Sequence, residues 1–441
     1  MTDVAIVGGG ILGMTLALRL SAAGHRVTVL EGAAAAGGLV APEQIGGFTW
    51  DRFYHVMLES DAHLAALLDE LGLSARIVWN TTRTGFYTDG SYHSMSNAWE
   101  FLQFPPLGLW DKARLAGTIL RASRIRDSRA LESVTVESWL RRWSGDRTFE
   151  KIWQPLLEAK LGANWRRVSA AFIWAIIARM YAARRSGLKR ERFGYVEGGY
   201  DTVLRALRAR LEANGVALRT GAPVRQLRSD AAGVRLAITD GTEFACGAAV
   251  LTVPASRIAG ICPQLAPEEK TRLGLVAYQG VICASLLLDR PLAGYYVTNI
   301  TDAGFPFTTV IEMTALVERS RFGGHTLAYL PRYCVADDPW WEKGDEEVRA
   351  LFLAGLRRLH PDLPESAVRA FVVSRAREVQ ALATMQYSSN ILPPVRTSLP
   401  NVFVVNSAQI VNGTLNSNES IGLANSKALE LLQLIPLGAA R

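Results

Sequence analysis

"VAIVGGGILGMTLALRLSAAGHRVTVLE", residues Val4 to Glu31, reads as strand, tight turn, helix and second strand. Val4–Val7 is a short apolar run suited to a strand covered on both faces. Gly8, Gly10 and Gly13 follow at G-x-G-x-x-G spacing. The first permits the turn, the second lets backbone approach a pyrophosphate, and the third lets helix and strand pack closely. The helix expected over residues 12–23 directs its first amides, around Ile11 and Leu12, at the phosphates. Glu31 closes the second strand about 20 residues past the turn, where a carboxylate can accept hydrogen bonds from an unphosphorylated ribose. A bound dinucleotide is the expectation, with NAD and FAD both open at this point.

Composition narrows the rest. A chain of 441 residues, 49% hydrophobic, is long enough for two domains or for one domain carrying a large insertion. Its four cysteines, Cys246, Cys262, Cys283 and Cys334, stand apart with no C-x-x-C. That spacing argues against a disulfide framework and against a thiolate metal site, and it favours a reducing cytoplasm. The six histidines are not ligand-spaced, so no metal is expected. No leader is read ahead of the first strand, and no apolar run reaches the roughly 18 residues of a spanning helix. The formal charge of +7 is spread over helices without a nucleic-acid-reading motif, so nucleic acid is not an expected partner. "LGLWDKARLAGTILRASRIRD", 107–127, sets Trp110, Leu115, Ile119 and Leu120 among five basic residues. Packing on the protein's own core and peripheral contact with a membrane both satisfy that pattern.

Past Glu31 comes a second glycine pair, Gly37 and Gly38, then "GGFTWDRFYHVM" with Gly46, Gly47, Asp51 and His55. Small residues here suit either close approach to a phosphate or a plain surface loop. Leucine spacing predicts a helix over 63–76, and Asp89–Gly90 predicts a hairpin across 86–93. Residues 109–188 read as mostly helical, with Ser133 or Thr135 as N-cap candidates. "FGYVEGGYDTVLRALRARLEANG" restarts an α/β pattern, with a helix expected over 200–212. Strands follow at 216–219, 223–227 and 248–253, a strand-rich region spans 275–333, and a helix is expected over 345–359 before a strand at 370–374. "NVFVVNSAQIVNGTLNSNESIGLANSKALELL" reads as strand, polar loop and a helix beginning near 419–422.

Taken together, "VAIVGGGILG", Glu31, "GGLV", "GYVEGGY", "AAVLTVP" and "NVFVVN" with its following helix resemble the FAD-dependent amine oxidase and protoporphyrinogen oxidase-like superfamily. "FTWDRFYHVM", "RFGYVEGGY" and "GHTLAYLPRY" are most similar to its bacterial protoporphyrinogen-oxidase-like members. The resemblance implies an α/β fold in which a Rossmann-type FAD-binding domain (1–80, 191–265, 391–441) carries a mixed-sheet substrate domain (81–190, 266–390) with a helical insertion. It favours FAD over NAD. Gly8, Gly10, Gly13, Glu31, Gly37 and Gly38 would take the ADP half, with Val224 at the adenine and Thr252 and Val253 on the strand beside the dinucleotide. Ser420, Ile421, Gly422 and Leu423 would present backbone to the flavin. Leu39 replaces the basic residue that commonly follows the second glycine pair. Asn406 and Ser407 stand where many relatives put a carboxylate, and either could bond a ribityl hydroxyl. No lysine lies between Gly274 and Glu342, which weakens transfer of the amine-oxidase arrangement.

The implied activity is FAD-dependent oxidation or desaturation of a small, largely apolar substrate by hydride transfer to flavin N5. A redox-neutral reaction like that of UDP-galactopyranose mutase and an amine oxidation are the alternatives. Oxygen, a quinone or another acceptor would reoxidise the flavin. His55 is a candidate for fixing the FAD loop or moving a proton. Tyr296 and Tyr329, with Phe307, Tyr333 and Tyr387, fall in segments resembling the substrate-facing walls, and Arg332 suits either an anionic substituent or a solvated strand edge. The substrate is expected between the helical block and the sheet holding Tyr296, Phe307 and Tyr329.

Overall fold

The computed structural model describes residues 2–182, 192–231, 233–411 and 413–436. Its first layer is a five-stranded, all-parallel sheet in the order Val402–Val404, Ala248–Leu251, Asp3–Val7, Arg26–Leu30, Ala217–Arg219. Asp3–Val7 is central and its Val4–Val7 stretch is buried, as an apolar run covered on both faces requires. The helices Ile11–Ala22, Gly199–Ala213 and Ser417–Leu434 share one core on one face of this sheet. The meander Val224–Asp230, Gly233–Ile238, Glu243–Cys246 packs into the core on the other face.

The second layer is a seven-stranded mixed sheet. Its order is Val368–Ala381, Tyr278–Leu288, Thr326–Cys334, Thr309–Glu312, Val297–Ile300, Thr84–Thr88, Ser91–Ser94, and only the pairing of Val297–Ile300 with Thr84–Thr88 is parallel. Side chains on a strand alternate between faces, and this sheet uses both. Leu327, Tyr329 and Tyr333 enter a cluster with Trp50, Tyr54, Phe193, Cys283 and Tyr296. Leu330 and Cys334, one residue out of step, enter another with Phe307 and Phe352 under the helix Asp345–Leu359.

A helical block stands against the mixed sheet: Leu109–Arg124, Val136–Ser144, Gln154–Leu161 and Ala170–Ala182. It has its own core around Trp139, Phe149, Trp165, Phe172 and Trp174. Residues 183–188 of the expected helical stretch lie outside the described residues. Of the two cap candidates Thr135 is the one used, accepting from the amide of Ser138 at 3.2 Å.

Several boundaries differ from those read in the sequence. The helix expected over 63–76 ends at Glu70, because Gly72 takes φ +70° and a separate 3-10 turn covers Ser74–Arg76. The strand expected at 370–374 runs from Val368 to Ala381, carried on by pairing with Tyr278–Leu288. Gly46 and Gly47 are exposed and form a surface turn rather than an approach to phosphate. They turn the hairpin Pro42–Ile45/Phe48–Asp51, and a Cβ on Gly46 would lie 2.7 Å from Leu287 of the mixed sheet.

Candidate active site

The two glycine segments converge at the end of the central strand. The Gly37 amide donates to the Gly9 carbonyl at 2.9 Å, and Gly10 and Gly37 form an isolated parallel bridge. A Cβ on Gly13 would sit 2.0 Å from the Gly8 carbonyl oxygen, so helix and turn touch there as the third glycine of the motif predicts. A Cβ on Gly10 would meet nothing within 4 Å. No side chain caps the helix that starts at Ile11, and its first turn holds no acid. Open space beside Gly10, uncapped amides at Ile11 and Leu12 and the facing Gly37–Gly38 loop fit the pyrophosphate of a dinucleotide.

Glu31 already accepts from the amides of Gly9 (2.6 Å) and Ala33 (2.8 Å). Its carboxylate thereby braces the loop at the position where a ribose would bond. Glu31→Gln keeps the shape and loses charge and one acceptor, so FAD affinity should fall by roughly 1.5–3 kcal/mol, or about tenfold to more than a hundredfold. Titration of apoprotein with FAD checks this, and equal affinities would remove the contact.

The remaining cofactor candidates divide between bracing the backbone and facing it. Thr252 Oγ1 donates within reach of the carbonyls of Val7 (3.0 Å) and Gly8 (3.1 Å), latching the turn. Asn406 bonds to protein: its amide donates to the Val253 carbonyl and its oxygen accepts from Ala408, both at 3.0 Å. Those bonds use one of its two N–H groups and one of its two oxygen lone pairs. Val224 opens a strand and pairs with Ile238. The late helix begins at Ser417, earlier than 419–422, because Asn416 caps it by accepting from Glu419 at 3.0 Å. The Asn416-x-x-Glu419 spacing is the signal that the sequence reading passed over. In a helix starting there, amides from Ser420 onward bond internally, and Ser420 donates to Asn416. The unpaired amides belong to Ser417 and Asn418 rather than to Ile421, Gly422 and Leu423. Gly422 instead makes room for His63, whose ring would lie 2.6 Å from a Cβ.

Asp51, named in the sequence but given no role, is a hub. It ends the strand Phe48–Asp51 and is buried; its Oδ1 accepts from the Tyr200 amide at 2.7 Å, where the helix Gly199–Ala213 starts. Gly199, at φ +67°, allows this approach, since a Cβ there would stand 2.7 Å from the same oxygen. The Asp51 carbonyl accepts from the Tyr329 hydroxyl at 2.6 Å. Burial raises the Asp51 carboxyl to about 7, against the opposing pull of the Tyr200 amide. His55 Nδ1 lies 3.8 Å from Asp51 Oδ2, has no hydrogen-bond partner and is closed off from water. Burial lowers this imidazole to about 4. Between about pH 4 and 7 the pocket holds a protonated carboxyl beside a neutral imidazole, with Trp50, Met57, Tyr195 and Tyr200 around the pair.

Leu39, directly after the second glycine pair, packs on the cluster containing Tyr54, Tyr329 and Tyr333. The Tyr54 and Tyr333 hydroxyls are 2.6 Å apart, and Lys160 from the helical block stands 5.2 Å over the Tyr333 ring. Burial, then the neighbouring Tyr333, pushes the Tyr54 phenol well above its ordinary range. Tyr296 lies in the same cluster, with its ring centre 5.2 Å from that of Phe193. Arg332 does not join them. Three residues from Tyr329 on one strand, it faces the opposite side, over Trp340 at 4.2 Å and donating to the Pro306 carbonyl at 3.2 Å. Phe307 is on that far side too, against Phe352. Strand parity identifies Tyr333 as the companion of Tyr329. Lys160 and Tyr54 carried no such signal.

A family model for flavin containing amine oxidoreductases matches residues 13–417. Coproporphyrinogen III oxidase of Mycobacterium tuberculosis (strain ATCC 25618 / H37Rv) is 28% identical over 284 residues, 60% of this chain and 61% of that protein, so the match spans about three-fifths of the curated relative. An oxidoreductase from Methanosarcina mazei superposes with a TM-score of 0.74 at 18% identity, covering 96% of this chain and 99% of the other. A reduced UDP-galactopyranose mutase gives 0.73 at 14% identity, covering 99% and 97%. At such identities the likeness is one of fold.

Proposed function

The chain belongs to the flavin containing amine oxidoreductase family, and from that premise we propose that it is an FAD-dependent enzyme that oxidises or desaturates a largely apolar, ring-containing small molecule. Bound FAD would supply a hydride acceptor at N5. The Gly8–Gly13 turn, the Gly37–Gly38 loop and Glu31 would hold its nucleotide end.

The observation that carries the substrate class is the aromatic cluster on which Leu39 packs, where the half-buried Tyr54 and Tyr333 pair through their hydroxyls and Tyr54 lies against the fully buried Tyr329. Lys160 stands over Tyr333, and Arg332 is turned to the far side of the sheet. Aromatic faces bind a ring by area, and the paired Tyr54 and Tyr333 hydroxyls orient a polar substituent. A sugar diphosphate calls instead for several converging guanidinium groups. At neutral pH the Asp51 carboxyl, raised to about 7, is partly ionised, and its ionised form takes up the proton that accompanies hydride loss through the neutral His55 imidazole 3.8 Å away. Oxygen, a quinone or another carrier completes the cycle.

Mass spectrometry of the ligand released from folded protein should find FAD. Mixed anaerobically with reduced ring compounds, coproporphyrinogen III among them, the holoprotein should lose its oxidised-flavin absorbance. Bleaching by aliphatic amines alone would move the assignment to amine oxidation. No bleaching by either, with turnover of UDP-galactopyranose by the reduced protein, would move it to the mutase reaction.

A further inference from the structure

The helix Leu109–Arg124 is inside out. It buries Lys112, whose ammonium donates to the Leu102 carbonyl at 2.7 Å, together with Leu115, Thr118 and Ala122. It exposes Leu109 (77%), Trp110 (75%) and Leu120 (44%). Leu109, Ala113, Ala116, Gly117 and Leu120 fall at i, i+4, i+7, i+8 and i+11, an exposed stripe without a charge. The preceding helix, Ala98–Gln103, adds Trp99 (67%) and Leu102 (50%). Five of the eight exposed large apolar side chains among the described residues thus lie between positions 99 and 120. Isolated exposed leucines need no explanation, whereas a contiguous patch with two indoles marks an interaction surface.

We propose that this face docks peripherally on an anionic lipid surface. Charge decides between that occupant and a second copy of the chain. Arg121, Arg124 and Arg126 stand exposed where the stripe ends, and Arg124 and Arg126 have no ion pair among the described residues. The only acids between positions 99 and 126 are taken up locally. Glu100 accepts from Ser94 and Ser96, and Asp111 caps the Gly108 amide at 3.2 Å. An antiparallel pairing of two such helices would lay these arginines against the positive N-terminal end of the partner helix, while anionic headgroups would neutralise them. The indole N–H groups of Trp99 and Trp110 have no protein acceptor among the described residues, and an interface of headgroups and water supplies acceptors that an apolar protein contact does not. Among the described residues no helix is long and apolar enough to cross a membrane, so the contact is one of lying on the surface.

The test is flotation of the full-length holoprotein with vesicles of phosphatidylcholine alone or mixed with phosphatidylglycerol. The wild type should float with the mixed vesicles at low salt and dissociate as salt rises. Trp99→Ser/Trp110→Ser should weaken that partition at least about tenfold. Arg124→Glu/Arg126→Glu should weaken it with a shallower salt dependence. Both changes are on the surface, so flavin content should match the wild type. If the wild type stays behind with the mixed vesicles at low salt, or the tryptophan variant floats with them equally well, the proposal fails. A wild-type dimer that the tryptophan substitutions split into monomers, without flotation, would assign the face to a second copy.

Discussion

Gly13→Ala is expected to give a destabilised protein without flavin, and Gly10→Ala a stable protein without flavin. The added methyl at Gly13 would lie 2.0 Å from a backbone oxygen, that of Gly8. No rotamer relieves a clash with main chain, so the helix Ile11–Ala22 has to lift from the central strand, at a cost of about 3 kcal/mol or more. Gly8 is held in place, since its amide donates to the Leu30 carbonyl at 2.9 Å and its carbonyl accepts from Thr252 Oγ1 at 3.1 Å. Gly10 differs in kind. Its φ is −72°, accessible to any residue, and nothing stands within 4 Å of its Cβ position. A methyl there leaves the apoprotein intact and occupies the space assigned to pyrophosphate. The ratio of flavin to protein absorbance, read beside the urea midpoint, separates the two. Full flavin occupancy in Gly10→Ala would show that the phosphates pass elsewhere.

Asp51→Asn should turn a flat pH profile of stability into a sloping one. In the folded protein burial holds the Asp51 carboxyl at about 7, from an ordinary 3.8, and the His55 imidazole at about 4, from an ordinary 6.5. The raised carboxyl contributes stability below its unfolded value and loses it as pH rises toward 7. The lowered imidazole contributes stability above 6.5 and loses it as pH falls toward 4. Between about pH 4 and 6.5 folding therefore moves one proton from imidazole to carboxyl, and the two slopes cancel. Asparagine keeps an acceptor for the Tyr200 amide and removes the carboxyl titration. The histidine slope then stands alone, with stability rising by about 1.4 kcal/mol per pH unit across that window. The difference between variant and wild-type urea midpoints, pH by pH, isolates the effect from other groups. Parallel profiles would mean that Asp51 is ionised throughout. If the pair also handles the proton of turnover, the same variant should slow flavin reduction about 10²-fold or more.

The parts legible in the sequence were those with a short period or a fixed spacing. Val4–Val7, the three glycines and Glu31 specify a strand, a turn and a helix from residues adjacent in the chain. The Asp89–Gly90 turn does the same for its hairpin, with both residues at positive φ (50° and 73°). Asp51 was legible as a residue but not as a hub, because its partner amide at Tyr200 is 149 positions away. Lys160 and Tyr333 likewise meet only when the helical block folds against the sheet. Arg332 is a different case: period-two alternation, readable in the sequence, sets it on the face opposite Tyr329. The exposed tryptophans could not be told from core residues by pattern, since the helix carrying Trp110 buries the face holding Lys112.

The parallel sheet has a consequence for how the protein is made. Of its strands the central one is made first, yet its neighbour Ala248–Leu251 follows about 245 residues later, and Val402–Val404 later still. Thr252, which latches the Gly8 turn, arrives with Ala248–Leu251, and the helix Ser417–Leu434, which packs beside Ile11–Ala22, only after Val402–Val404. Such distant pairings fold slowly and leave apolar strand edges bare in the meantime. The nucleotide cradle therefore depends on segments made long after its glycines: nascent chains halted before Val402–Val404 cannot complete the sheet that holds it.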